Sequence, residues 1–348
     1  MNNNSTLFHV RDTLSGELTL SIAHILEQLL EQGHSVVTTV RTQEKAQKIL
    51  DAHKAESDRL EVAIVPDIAQ ENAFDEVAKT PGIEVVLHTA SPFHYKWTDA
   101  QKELIDPALI GTTSILRAIH RDAPTVRRVV VTSSFAAILE NDKLLDPNTT
   151  FTEKSWNPNT LRDIHKDKAT AYRVSKTLAE KAAWDFVANE KPKFDLATVN
   201  PPLVFGPVVH HLATLDSINT SNERVVALLR GDWKEKIPPT GPVEIFVDVR
   251  DVAAAHIRAF EKPEAGGKRL FAVSGRFSNN QLPAVIRKNV PAFADKVPGA
   301  DVQGGEPNSL DKSFKFNNDE TTNLLGIKWI DIEKSITDLA ESIKGFDL

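Results

Sequence analysis

The sequence predicts an α/β protein built on a doubly wound parallel sheet, with a smaller, interleaved C-terminal lobe. Three observations carry that reading. Short β-rich runs recur through the first 200 residues: "SVVTTV" (35–40), "LEVAIV" (60–65), "IEVVLHTA" (83–90), "RRVVVTSS" (127–134) and "FDLATVN" (194–200). Stretches of helical pattern lie between them. The runs are also nearly continuous in apolar character rather than alternating, as expected of strands buried on both faces, and parallel crossovers need a helix that covers the sheet.

From the N-terminus, Ile22, Ile25, Leu26, Leu29 and Leu30 recur at helical spacing, and Gly33 follows as a left-handed stop. A first strand must precede this helix. "RDTL" is a poor one, because an Arg-Asp pair does not suit a central parallel strand, and "STLFHV" just upstream is the better candidate. After about Phe205 the alternation loosens into a mixture rich in Pro and Gly. It holds a helical "SNERVVALLRG", a helical "RDVAAAHIRAFE", a strand-like "KRLFAVS" and a last helix near 331–344. The expected division is 1–203 for the first domain and 204–348 for the smaller lobe, with segments near 240–256 returning to the first. Without a long flexible linker, the two should form one body. Ligands of such sheets bind beyond the carboxyl ends of the strands, so "HTASPF", "VTSSF" and "NPPLVFGP" should meet at one crevice.

Composition removes several function classes. The 348 residues carry a net charge of -7 with acids and bases intermixed, so no basic stripe invites nucleic acid or an anionic membrane. The complete lack of cysteine excludes disulfides and thiolate chemistry and fits a reducing, cytoplasmic setting. "MNNNSTLFHV" lacks the pattern of a signal peptide, and no apolar stretch nears the roughly 20 residues of a membrane span. The 11 histidines show no HExxH spacing, so no metal is expected.

The chemistry-bearing candidates cluster around one of only two tyrosines. Tyr172 stands in "TAYRVSKTLAEKAAW", with Lys176 four residues on and on the same helical face. An ammonium beside a phenol favours the phenolate and brings a pKa near ~10 toward a range useful for proton transfer. Ser133 and Ser134 end a strand and offer a hydroxyl to the same carbonyl oxygen. Each feature alone is better read as a packed tyrosine beside a surface lysine or as an ordinary strand end; the combination on one α/β frame is what points to a site.

With these motifs the sequence resembles the extended short-chain dehydrogenase/reductases. Within them it is similar to the dihydroflavonol-4-reductase-like branch, which holds fungal NADPH-dependent aldehyde and methylglyoxal reductases. The matching stretches include "LEQGHSVVTTVRTQEKA", "VLHTASPFHY", "RVVVTSSFAAI", "AYRVSKTLAEKAAW", "TVNPPLVFGP", "INTSNE" and "FVDVRDVAAAHIRAFE". The resemblance implies a Rossmann fold and an NADPH-dependent carbonyl reductase with Ser134, Tyr172 and Lys176 as its triad. Tyr172 would be the general acid, Ser134 would steady the carbonyl oxygen, and Lys176 would hold the nicotinamide ribose. It implies that Arg41 and Lys45 meet a 2′-phosphate where an NAD enzyme places an acid, which favours NADP. Asp67 and Ile68 would flank the adenine, Thr89, Ala90 and Ser91 would line the cofactor's path, Val204 would touch the nicotinamide, and Ser221 would reach a phosphate. Phe93, Trp97 and Phe135 are candidates for the substrate wall, with a core role open for each. Asp248, Arg250 and Asp251 are expected to join the two lobes. The expected partner is a small carbonyl compound, the expected assembly a monomer or homodimer.

One element departs from the pattern. Where this branch carries a Gly-x-x-Gly-x-x-Ala turn under the pyrophosphate, alignment on the first helix gives Gly16, Thr19 and Ile22. Three readings stay open: an enzyme with an unusual loop, a fold that has lost tight NADP binding and serves as a non-catalytic or regulatory protein, and a misjoined first exon. An epimerase or dehydratase of the same superfamily is a further alternative, which "HTASPF" disfavours.

Overall fold

The computed structural model describes residues 20–89, 97–209, 214–215, 218–308 and 310–347, and the backbone alone of residues 5–9. In chain order its strands are β1 (Ser5–His9), β2 (Ser35–Val40), β3 (Leu60–Ile64), β4 (Ile83–His88), β5 (Arg128–Thr132), β6 (Thr150–Phe151), β7 (Asp195–Val199), β8 (Leu203–Phe205), β9 (Ile245–Asp248), β10 (Arg269–Leu270), β11 (Gly275–Arg276) and β12 (Lys315–Phe316). The helices are α1 (Leu20–Glu31), α2 (Gln43–Ala52), α3 (Asp106–Asp122), α4 (Lys168–Glu190), α5 (Thr220–Arg230), α6 (Val249–Glu261), α7 (Gln281–Asn289), α8 (Asp319–Leu325) and α9 (Ile332–Ser342).

Seven strands form one sheet in the order β10-β7-β5-β4-β1-β2-β3, and every neighbouring pair runs parallel. The strand order reverses between β1 and β4. That is where a doubly wound sheet opens a crevice at its carboxyl edge.

Period-two packing explains why both faces are covered. Val85 and Leu87 of β4, Val130 of β5 and Ala197 and Val199 of β7 join a core built with α1, α2 and α6. Their neighbours Val86, Val129, Val131 and Leu196 point the other way, into a core built with α3 and α4. Alternate residues thus belong to different layers, and an apolar residue is needed at nearly every position.

The first strand forms from the upstream candidate, Ser5–His9, between β2 and β4; "RDTL" lies outside the described residues. The first helix ends as its sequence requires. Gly33 takes φ +85°, and its N–H and that of His34 close on the carbonyls of Leu30 and Leu29 at 3.0 Å each.

The smaller lobe holds the sheet β11-β9-β8 with α5, α7 and α9 around it. Its core centres on Phe205, Phe246 and Phe277, whose rings lie 5.0 to 6.3 Å apart. The return to the first layer is longer than the expected 240–256. α6 packs on α1, β5 and β7, and β10 adds an edge strand beside β7. "KRLFAVS", expected as a strand of the smaller lobe, therefore contributes its Arg269–Leu270 to the large sheet instead.

The expected joint between the lobes is built from Asp248, Arg250 and Asp251. Buried Asp248 caps α6 by accepting from the Arg250 N–H (2.9 Å) and holds its guanidinium at 2.8 Å, while Arg250 reaches Asp338 on α9 at 2.5 Å. Asp251 accepts from the Ile330 N–H at 2.7 Å. Gly206, at φ +134°, completes the joint: a Cβ there would meet Val249 Cγ1 at 2.7 Å.

Candidate active site

The two serines after β5 have different surroundings. Ser133 is buried, and its hydroxyl donates to Glu180 Oε2 at 2.5 Å. Ser134 is half-buried and caps the short turn Phe135–Ala137, accepting from the Ala136 N–H at 3.1 Å. Ser133 is therefore committed to the interior, whereas the half-buried Ser134 hydroxyl makes only a long contact, 3.5 Å, to the Pro201 carbonyl besides its cap. The strand tip is anchored again at Thr132, 2.6 Å from Nε2 of the buried His256. His256 Nδ1 lies 2.8 Å from the Val252 carbonyl, so it carries the proton, and Nε2 accepts from Thr132. Burial pushes this imidazole down to about 4, which keeps it neutral.

Tyr172 and Lys176 sit one turn apart near the start of α4, whose N-terminus is capped by Asp167 accepting from the Thr170 N–H at 2.8 Å. Tyr172 is half-buried and packs against the apolar cluster of Leu104, Ile105, Ile164 and Val174. Lys176 is buried. It acts across the layer on His88 at the end of β4, whose imidazole is held down to about 3, chiefly by burial and then by the Lys176 ammonium.

At the tip of β2, Arg41 donates through Nε to the Pro66 carbonyl at 3.3 Å. Lys45 stands in the first turn of α2, and its ammonium is pushed down to about 8 by partial burial and by neighbouring Lys48. Glu44, next to Lys45 in the first turn of α2, pairs with Lys48 at 3.0 Å. Beyond β3, Asp67 accepts from the Ala69 N–H at 2.9 Å and forms a local turn. Ile68 is buried against Gly111 of α3, which leaves only its backbone to meet a ligand. Thr89 directly follows β4 and is half-buried. The Val204 N–H donates to Ser221 Oγ at 3.2 Å, tying β8 to the first turn of α5.

Phe135, for which the sequence left a substrate-wall and a core role open, is packed as a core residue. It is 2% exposed, and its ring stacks on Phe271 and Phe314 at 5.3 and 5.8 Å and meets Phe151 edge-on at 5.6 Å. Trp97 packs in the same cluster as Tyr172, with the Lys168 ammonium 5.6 Å from its ring. Gly16, Thr19, Ala90, Ser91 and Phe93 lie outside the described residues. Ile22, at the third position of the altered turn, is a buried core residue of α1.

Glu180 is the residue that sequence reasoning passed over. It follows Tyr172 and Lys176 at a further spacing of four, on the same stripe of α4. That spacing was its available signal.

A model of the NAD dependent epimerase/dehydratase family matches residues 23–274. The chain belongs to that family. Its relatives there include the ketoreductase azaE of Aspergillus niger, 39% identical over 334 residues that cover 95% of this chain and 96% of the other. The NADPH-dependent methylglyoxal reductase GRE2 of Saccharomyces cerevisiae is 37% identical over 343 residues, 96% of this chain and 98% of the other. Among solved family structures, Gre2 from Candida albicans in complex with NADPH superposes with a TM-score of 0.86 at 35% identity, covering 98% of each chain.

Proposed function

We propose that the chain is an NADPH-dependent carbonyl reductase that converts an aldehyde or ketone to the alcohol. The observation that carries the reading is the arrangement at the carboxyl edge: Ser134 is held at the β5 tip, and Tyr172 and Lys176 share one face of the helix fastened behind it. The full-length similarity to two reductases and to an NADPH complex supports it.

The residues suit NADPH. Arg41 and Lys45 offer charge to a 2′-phosphate at the β2 tip, and the first turn of α5 presents Ser221. Asp67, Ile68 and Thr89 follow the carboxyl ends of β3 and β4, and Val204 lies on β8 of the smaller sheet. Bound there, NADPH supplies the hydride that reduces the carbonyl carbon.

The protein's own work is on the oxygen. Ser134 Oγ donates a hydrogen bond to it, and Tyr172 transfers the phenolic proton to it as the C=O π bond is lost. The Lys176 ammonium stabilises the phenolate left behind, which solvent then reprotonates. Trp97, which packs against the same apolar cluster as Tyr172, is the residue proposed to supply apolar surface for the substrate.

Oxidation of NADPH followed against a panel of small aldehydes, ketones and diketones tests this reading. Wild type turns over at least one of them, and Tyr172→Phe loses ~100-fold or more in kcat. An inactive wild type that leaves the whole panel untouched, or a fully active Tyr172→Phe, overturns it.

A further inference from the structure

The carboxylate of Glu180 is the meeting point of groups from three separate segments. Oε2 accepts from Ser133 Oγ at 2.5 Å and from Asn200 Nδ2 at 2.8 Å. Oε1 accepts from Arg269 Nε at 2.6 Å and from Trp184 Nε1 at 3.3 Å, and Thr198 Oγ1 lies 3.2 Å away. Asn200 Nδ2 also reaches the Ser134 carbonyl at 3.3 Å. The acid thus holds Ser134 from both sides, through the hydroxyl of the residue before it and through its own carbonyl.

Its counter-ion is equally fixed. Arg269 donates to the carbonyls of Glu153 (2.7 Å) and Ser155 (2.5 Å), and its guanidinium lies 3.7 Å from the Trp156 ring. Neither charge is exposed: the side chains are 0% and 9% accessible. A buried ion pair contributes little net stability over an apolar pair of the same volume. What an apolar pair would lack is direction, and here the directed bonds end on Ser133 and, through Asn200, on the Ser134 carbonyl.

We propose that Glu180 is a positioning residue that sets the separation between Ser134 and the Tyr172–Lys176 face of α4. Tyr172, Lys176 and Glu180 follow one another at intervals of four on that helix, so the group that grips the β5 tip rides on the same rigid element as the proton donor. Arg269, arriving on the last strand of the sheet, fixes the carboxylate so that both of its oxygens keep their bonds. This inference rests on the reductase reading. Misplacing one oxygen-binding group by ~1 Å slows the chemistry while leaving the proposed NADPH-binding residues at the other strand tips in place.

The test compares wild type, Ser133→Ala and Glu180→Gln. NADPH binding is titrated by fluorescence, and kcat is expressed per NADPH-binding site, which removes any unfolded fraction from the comparison. Ser133→Ala deletes one bond of the clamp and leaves the ion pair intact. The expected result for it is a fall in kcat per site of about 10-fold with NADPH affinity within twofold of wild type, and Glu180→Gln falls at least as far. A merely structural role lowers the yield of binding sites and leaves kcat per site unchanged. That outcome in Ser133→Ala, beside an active wild type, overturns the positioning role alone. A wild type that binds NADPH but reduces no carbonyl overturns the reductase reading, and the positioning role with it.

Discussion

Among the arginine–carboxylate assemblies of the described residues, two differ in what their bonds hold. The first, Glu180 with Arg269, lies between α4 and the tips of β5 and β7 and ends on Ser133, Asn200 and, through Asn200, Ser134. The second, Asp248 with Arg250 and Asp338, lies between α6 and α9 and ends on a helix cap and a lobe contact. The chemistry is the same in both. The difference teaches that a buried ion pair is assigned a role by the groups its spare lone pairs reach, not by its burial.

The comparison can be broken at the joint. Arg250→Met leaves Asp248, which is fully buried, without its guanidinium, and breaking such a pair costs roughly 3 kcal/mol of stability. The expected result is a clear drop in thermal midpoint with kcat per NADPH-binding site unchanged, the reverse of the pattern expected at Ser133. Loss of kcat per site without loss of stability would erase the distinction between the two assemblies.

A smaller effect sharpens it. Asp251, beside the same joint, is pushed up to about 6, chiefly by burial and further by Asp248, against the bonds from Ile330 and Ser274 that favour its charged form. A carboxyl that holds its proton more tightly when folded adds stability that is full below about 4. That contribution is lost as the pH rises through about 6. Urea midpoints of wild type should therefore decline between pH 4.5 and 7.5 more steeply than those of Asp251→Asn, which keeps an oxygen for the Ile330 N–H but cannot ionise. Parallel profiles for the two proteins would remove Asp251 from the account.

Much of the fold was legible because its causes are local. Strands buried on both faces must be apolar at consecutive positions, so β2, β4, β5 and β7 were visible as runs, β3 showed as a β-rich run although it is a half-exposed edge strand, and Gly33 marked the end of α1 through a backbone angle only glycine adopts easily. The short β10 was not legible as part of the large sheet. Two residues carry no period, and their place is decided by pairing with β7, some 70 positions earlier in the chain. Phe135 was ambiguous for a similar reason: an aromatic after a strand reads alike in a pocket or a core, and Phe271 and Phe314, distant in sequence, decide it. Tyr172 and Lys176 were readable from their spacing. Glu180 shared that spacing, but its meaning depends on Arg269, 89 residues away.

The most direct measurement of the central claim follows the label. NADPH carrying deuterium at the transferable position of its nicotinamide is incubated with wild type or Tyr172→Phe and a carbonyl compound reduced by the wild type, and the product is read by mass spectrometry and NMR. The account predicts one deuterium on the carbinol carbon with wild type, and in Tyr172→Phe a rate of labelled product at least ~100-fold lower although NADPH still binds. Product without label on that carbon, or undiminished labelling by Tyr172→Phe, would contradict it.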